Sequence, residues 1–213
     1  MDSRRDARTG ASGHAETTHG ETATELTCAI VIGCGLSGLA VAAELCRQGV
    51  DSIVVQGPAP AAATIREAAA EPEVLPERAE LLRVLHAYVA SHRLDIREDS
   101  AAQEMTLAVS AGLLPSPVAG SGKWAVRTGR ELLLADYVVL TSCSRSDLRR
   151  LARAVGVGSG PEAAATLRSA GVYLVGVGEN LLPSLRGLVR QAKAAGEAIA
   201  DAGLPAPQCL LRT

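Results

Sequence analysis

The chain has 213 residues, the length of one or two domains, and 47% of them are apolar, as in soluble globular proteins. Its 21 basic and 23 acidic side chains give a formal net charge of −2, which excludes a bulk positive field for nucleic acid or an anionic membrane. No stretch reaches the roughly 20 apolar residues of a membrane-spanning helix. Aromatic residues make up only 2%, so we expect a core of Ala, Val, Leu and Ile.

The N-terminal segment and the cysteines predict a cytoplasmic protein. Residues 1–26 are polar and without periodicity, which predicts a disordered leader without the apolar core of a secretory signal. The five cysteines contain no CxxC pair, which favours reduced thiols. We expect one folded domain over residues 27–205 and a short tail over 206–213.

The first elements predict a βαβ unit. Cys28–Ile32 is a short apolar run that ends in glycine, as in a buried parallel strand. A helical pattern follows and stops at Gly49, and Ser52–Val55 is a second buried strand.

The rest of the chain predicts further strands and helices around the same sheet. Pro76 opens a helix, and another begins at Pro183 and continues through Ala200. The remaining predicted segments are strands at Leu94–Ile96, Met105–Val109, Trp124–Thr128, Leu132–Leu134, Asp136–Leu140 and Val172–Val175, and a helix at Ser146–Val155. Three of these, Met105–Val109, Trp124–Thr128 and Leu132–Leu134, are predicted to be antiparallel. We therefore expect an α/β, Rossmann-like domain with a parallel sheet, crossover helices and a small antiparallel β-meander.

A glycine-rich turn joins the first strand to the first helix. Gly33-Cys-Gly35-Leu-Ser-Gly38 is a GxGxxG motif in the strand–turn–helix context that gives this motif its meaning. Gly33 permits the tight turn, Gly35 lets a pyrophosphate approach the backbone, and Gly38 lets the helix lie close to the sheet. The predicted contacts of the pyrophosphate are Gly33, Gly35, Leu36, Ser37 and Gly38. A glycine-rich turn that binds nothing is the alternative.

The end of the second strand departs from the dinucleotide-binding pattern. That pattern places an acidic residue there to hold the ribose hydroxyls, and in this chain the position is Gln56. An amide still accepts a hydrogen bond but lacks charge assistance, so weaker ribose binding by Gln56 is expected.

Three segments together resemble a known family of flavoproteins. They are CAIVIGCGLSGLAVAAELCRQGVDSIVVQ, WAVRTGRELLLADYVVLTS and GVYLVGVGENLLPSLRGLVRQAKAAGEAIA. In this order they resemble the flavin-containing monooxygenases and the thioredoxin-reductase-like oxidoreductases, which carry two dinucleotide-binding domains. The resemblance implies an FAD-binding domain in which Gly178, Glu179 and Asn180 approach the ribityl or flavin side. A turn and helix cap is the alternative role for Glu179 and Asn180.

The same resemblance shows what this chain lacks. Residues 142–171 stand where the family has its NAD(P)H domain, and we expect a short linker there. The family's Ala-Thr-Gly motif is replaced by Thr141-Ser142-Cys143, and its redox-active cysteine pair is absent. FAD is therefore the expected cofactor, with binding weakened by Gln56 and by the altered Thr141–Cys143 segment.

Three functions remain open at this level. The first is an FAD-dependent oxidoreductase or monooxygenase-like enzyme for a small organic substrate, reduced by a separate reductase or by that substrate. The second is a flavoprotein relative with a non-redox role, such as a cyclase or isomerase in natural-product biosynthesis. The third is a non-catalytic subunit that completes a partner's site. A homodimer through an exposed apolar face is also expected, whereas no metal site and no particular catalytic residue is predicted.

Overall fold

The computed structural model describes residues 23–58, 75–108, 123–141, 143, 148, 163–177 and 184–203. Within them the strands are β1 (Ala23–Ile32), β2 (Ser52–Gln56), β3 (Asp95–Ala108), β4 (Lys123–Thr128), β5 (Glu131–Leu140) and β6 (Val172–Leu174). The helices are α1 (Leu36–Arg47), α2 (Leu75–His92), α3 (Ala163–Ser169) and α4 (Leu185–Ala202).

A parallel sheet forms the centre of the fold, as predicted. β1 lies in its middle, with β2 and the first part of β3 on one side and β5 and β6 on the other. β1, α1 and β2 form the predicted βαβ unit. The carboxyl ends of these strands therefore share one edge of the sheet, which is where α/β proteins of this type bind ligands.

An antiparallel layer continues from the same strands. β4 pairs antiparallel with the second part of β3 and with the first part of β5, which forms the predicted meander. Because β1 pairs with both β2 and β5, the pairings of β1 to β5 close into a ring.

Two of these strands are longer than predicted. The expected strands Leu94–Ile96 and Met105–Val109 are joined in β3, and Leu132–Leu134 and Asp136–Leu140 are joined in β5. The prediction of separate strands was wrong because β3 changes partner through a bulge, opposite the Val55–Gln56 step of β2, without leaving the extended conformation.

Two apolar cores lie on opposite faces of the sheet. On one face α1, α2 and α4 cover alternate residues of β1 and β2, including Val31 and Val54. The other core lies between the sheet and the meander and contains Ile30 and the fully buried Trp124. The Trp124 indole donates a hydrogen bond to the carbonyl of Ala170 at 2.7 Å, so this scarce aromatic residue is part of the core.

Only part of the apolar pattern of α4 is buried. Leu188, Ala192 and Ile199 are buried, whereas Val189 is 47% exposed. Gly196 also faces inward, because a Cβ there would stand 2.6 Å from Glu44 Cγ on α1. The two helices thus approach closely at a small residue that the apolar pattern does not mark.

Two segments differ from expectation, and a third lies almost entirely outside the described residues. β1 begins at Ala23, before the predicted end of the leader at residue 26, because residues 23–27 pair with β5. The stretch predicted as a linker over 142–171 contains α3, whose Leu167 is buried. The predicted helix Ser146–Val155 lies outside the described residues apart from Leu148.

A cluster of charges stands at the bulge of β3. The Arg97 guanidinium contacts carboxylate oxygens of Asp95 at 2.6 Å, Glu25 at 2.8 Å and Glu131 at 2.8 Å. The Arg97 side chain is only 21% exposed, so solvent screens these contacts little. Arg97 thereby joins β3 to the first residues of β1 and β5.

We expect Arg97→Met to lower the free energy of unfolding by about 2 kcal/mol, because three carboxylates would lose their shared counter-ion. Urea unfolding followed by circular dichroism measures this change. Arg127→Met is the control, since Arg127 and its partner Glu104 are more than half exposed and 3.7 Å apart. The control should lose less than about 0.5 kcal/mol, and an equal loss in both variants would contradict the role of Arg97.

Candidate nucleotide-binding site

The glycine turn begins at the carboxyl end of β1. Gly33 has a φ of 123°, which favours glycine, and its amide donates to the carbonyl of Val55 at 2.8 Å. The chain therefore stays bonded to β2 for one residue beyond β1 and then turns sharply into α1.

Gly38 sets the distance between α1 and this turn. A Cβ on Gly38 would stand 1.7 Å from the carbonyl oxygen of Gly33, far inside any possible contact. This confirms the predicted close approach of helix and strand, which only a glycine permits.

Gly35 has the opposite surroundings. It is exposed, and a Cβ built on it would meet no atom of the described residues within 4 Å. Gly35 is also the N-cap of α1, and no side chain of the described residues caps this helix end. The first-turn amides of α1 lack helical partners, and the positive end of the helix dipole lies at the same exposed position. This arrangement suits an anion.

The third segment of the resemblance lies against the same helix start. Gly176, just after β6, has a φ of 70°, and a Cβ on it would stand 2.6 Å from Ser37 Oγ. The Gly176 amide donates to the side-chain oxygen of Gln191 on α4 at 2.9 Å. The structure therefore brings β6, α4 and the glycine turn together. Gly178, Glu179 and Asn180 lie outside the described residues.

Thr141 fastens the turn to the end of β5. Its Oγ1 donates to the carbonyl of Ile32 at 2.9 Å and lies 3.3 Å from the carbonyl oxygen of Gly33. Its amide also donates to Ile32, at 3.0 Å. This contact was not predicted from the sequence, where Thr141 stood only as part of an altered motif. A threonine directly after a buried strand was the available signal.

Gln56 stands where the sequence placed it. It is the last residue of β2, and it is exposed at the carboxyl edge of the sheet beside the glycine turn. The structure thus brings together Gly33, Gly35, Leu36, Ser37, Gly38 and Gln56 at one edge. Within the described residues no group of three or more His, Cys, Asp or Glu side chains is placed to hold a metal ion.

Comparison with known proteins shows which fold this is. No protein-family model matches the chain, and no curated protein matches it either. Among solved structures, Thermovibrio ammonificans THI4 is similar over 83% of this chain and 90% of its own, with 16% identity and a TM-score of 0.53. The fold is that of the Rossmann-like flavoproteins.

Two further solved structures are similar to smaller parts of the chain. A flavin-containing monooxygenase from Stenotrophomonas maltophilia is 19% identical over 55% of this chain and 38% of its own, with a TM-score of 0.36. A thioredoxin reductase from Gloeobacter violaceus is 15% identical over 70% and 57%, with a TM-score of 0.37. The chain spans less than two thirds of either protein.

The glycine turn carries a thiol whose pKa is raised. Burial, and secondarily the negative charge of Glu98, raise the pKa of Cys34 to about 11. The thiolate is the nucleophilic form, so Cys34 is protonated and inert near pH 7.

We expect iodoacetamide to modify Cys34 much more slowly in the folded protein at pH 8 than in the protein unfolded in urea. The cause is the raised pKa together with partial burial. Mass spectrometry of the peptide that contains Cys34 measures the rate. Equal rates in the two states would contradict the position of this side chain.

No helix among the described residues is long and apolar enough to span a bilayer.

Proposed function

We propose that the chain is an FAD-binding oxidoreductase or monooxygenase-like enzyme for a small organic substrate, without an NAD(P)H domain of its own. The observation that carries the proposal is the contrast between two glycines of one turn. Gly38 is required by packing, since a Cβ there would collide with Gly33, whereas no described atom lies within 4 Å of a Cβ on Gly35. Packing against the described residues does not explain the glycine at position 35, but a ligand that approaches the backbone does.

The residues at this edge fit the adenosine diphosphate part of FAD. The backbone of Gly33, Gly35, Leu36, Ser37 and Gly38 would hold the pyrophosphate, with its charge at the start of α1. The Gln56 amide would bind the ribose. Gly178, Glu179 and Asn180 are proposed to approach the ribityl or flavin side, since Gly176 already lies against Ser37.

The bound FAD would supply the redox chemistry, and the chain would bind and orient it. Thr141 contributes by fixing the carbonyl groups of Ile32 and Gly33, which sets the position of the turn. Cys34 takes no part in thiol chemistry near neutral pH, because its pKa is raised to about 11. The electrons would come from a separate reductase or from the substrate.

A single-domain form of this fold supports the proposal. The likeness to THI4 covers 90% of that chain, so the fold occurs in a protein of about this extent. Because residues 142–171 stand where the resembling family has its NAD(P)H domain, reduction by NAD(P)H would need a partner. We therefore propose a cytoplasmic protein that works with a reductase or a second subunit, as a monomer or a homodimer.

A second candidate is a relative that binds the nucleotide but performs no redox reaction, or that serves as a binding subunit. The neutral Gln56 at the end of β2 favours it, since ribose binding loses charge assistance there. Such a protein would keep the glycine turn and use it to hold a ligand.

The visible spectrum of the purified protein, before and after addition of FAD, tests the proposal. We expect a stoichiometric flavin spectrum that bleaches under anaerobic conditions with a reductant and recovers in air. A bound flavin that no reductase or substrate reduces would favour the second candidate. The absence of binding at saturating FAD would refute the first.

A further inference from the structure

The strand next to Gln56 supplies the carboxylates that β2 lacks. Val55 of β2 lies opposite Arg97 of β3, and the next residue, Gln56, lies opposite Ala101. The three residues Glu98, Asp99 and Ser100 therefore have no partner on β2 and bulge from the ladder beside Gln56. Two of the three are acidic, and they lie where the parallel part of β3 ends.

Glu98 is the residue of this bulge that comes directly after the part of β3 paired with β2. Ser100 is buried, at 6% exposure, whereas Glu98 and Asp99 are exposed. Glu98 directly follows Arg97, the partner of Val55, and the carbonyl of Val55 accepts the hydrogen bond from the Gly33 amide at 2.8 Å. The register therefore places Glu98 beside the start of the proposed pyrophosphate site, and its charge contributes to the raised pKa of Cys34 in the same turn.

The Glu98 carboxylate also has no bonding partner among the described residues. Its neighbours on β3, Asp95 and Arg97, bond to each other, and Arg97 also contacts Glu25 and Glu131. Over the described ranges, Glu98 makes no hydrogen bond or ion pair. An exposed carboxylate with free acceptor capacity, next to the end of β2, can accept hydrogen bonds from vicinal hydroxyl groups.

We propose that Glu98 accepts hydrogen bonds from the ribose hydroxyls of the bound nucleotide, in place of the acidic residue that β2 lacks at Gln56. This inference rests on the proposed nucleotide site. It adds a ligand class to that site: nucleotides with free ribose hydroxyls are bound, and those with a 2′-phosphate are repelled by the carboxylate.

Calorimetric titration with ADP and with 2′,3′-dideoxyadenosine diphosphate tests the inference, because the second probe lacks the two hydroxyls. Glu98→Gln should weaken ADP binding about tenfold, since the acceptor loses its charge. It should leave binding of the dideoxy nucleotide unchanged. Asp99→Asn is the matched control, one residue away in the same bulge, and should change ADP affinity less than about twofold.

The outcomes separate this inference from the proposed function. If the wild type binds neither ADP nor FAD, both fail. If the wild type binds ADP and Glu98→Gln changes ADP and dideoxy nucleotide affinity equally, or changes neither, only the role of Glu98 is overturned.

A double variant adds a second test. Glu98→Gln with Gln56→Glu moves the carboxylate from β3 to β2 and should recover at least half of the lost ADP affinity, on a logarithmic scale. No recovery would mean that the two positions do not share the ribose, which would overturn the inference.

Discussion

Gly35→Val is expected to abolish FAD binding while leaving the protein folded. The valine side chain would occupy the open space in front of the turn, where no described atom lies within 4 Å of a Cβ. A pyrophosphate could then no longer reach the amides at the start of α1. Loss of two charge-assisted hydrogen bonds weakens binding at least a hundredfold, about 2.7 kcal/mol. Flavin fluorescence on titration with FAD measures this affinity.

Stability should change little in the same variant. Gly35 has a φ of −79°, which a branched residue can adopt, and loss of a glycine N-cap costs at most about 1 kcal/mol. The control is Gly129→Val in the β4–β5 turn, where the nearest atom to a Cβ is Gln103 Nε2 at 3.5 Å. The control should bind FAD as the wild type does. A folded Gly35→Val protein that still binds FAD would show that the site is elsewhere.

Gly38→Ala should have the reverse effect and destabilise the fold by about 3 kcal/mol or more. The added methyl group would overlap the carbonyl oxygen of Gly33, so α1 would have to move off the sheet. This cost exceeds the roughly 1 kcal/mol that alanine gains over glycine within a helix. Urea unfolding measures the difference.

Gly35→Ala is the control for that measurement, since it adds the same methyl group three residues earlier in open space. It should unfold within about 1 kcal/mol of the wild type. If Gly38→Ala unfolded at the wild-type midpoint, α1 would not approach the turn as closely as the structure has it.

The first βαβ unit and its turn could be predicted from the sequence because their signals are local. These signals lie within 30 residues: the apolar run Cys28–Ile32, the glycines of the turn and the second strand. Each pattern predicts one kind of element. The tight turn predicted at Gly33 and the close packing predicted at Gly38 were confirmed by backbone angle and by contact.

Long-range features could not be predicted in the same way. The side chain of Arg97 bonds to Glu25 and Glu131, which are distant in sequence, and no periodicity links them. The position of Glu98 depends on a register shift between β2 and β3, which is a property of the pairing and not of either strand alone. The helix Ala163–Ser169 is short and alanine-rich, so its apolar pattern is weak.

The pairing of β1 with β5 has a consequence for synthesis on the ribosome. The glycine turn is completed by Thr141, which bonds to Ile32 across 109 positions of the chain. All of β1 from Ala23 to Ile32 lies beside β5. A nascent chain that carries the whole GxGxxG motif therefore still lacks the strand that holds it in place, and closing so long a loop is slow. The proposed nucleotide pocket should therefore form late in folding. Until then we expect the apolar first strand to be exposed to aggregation.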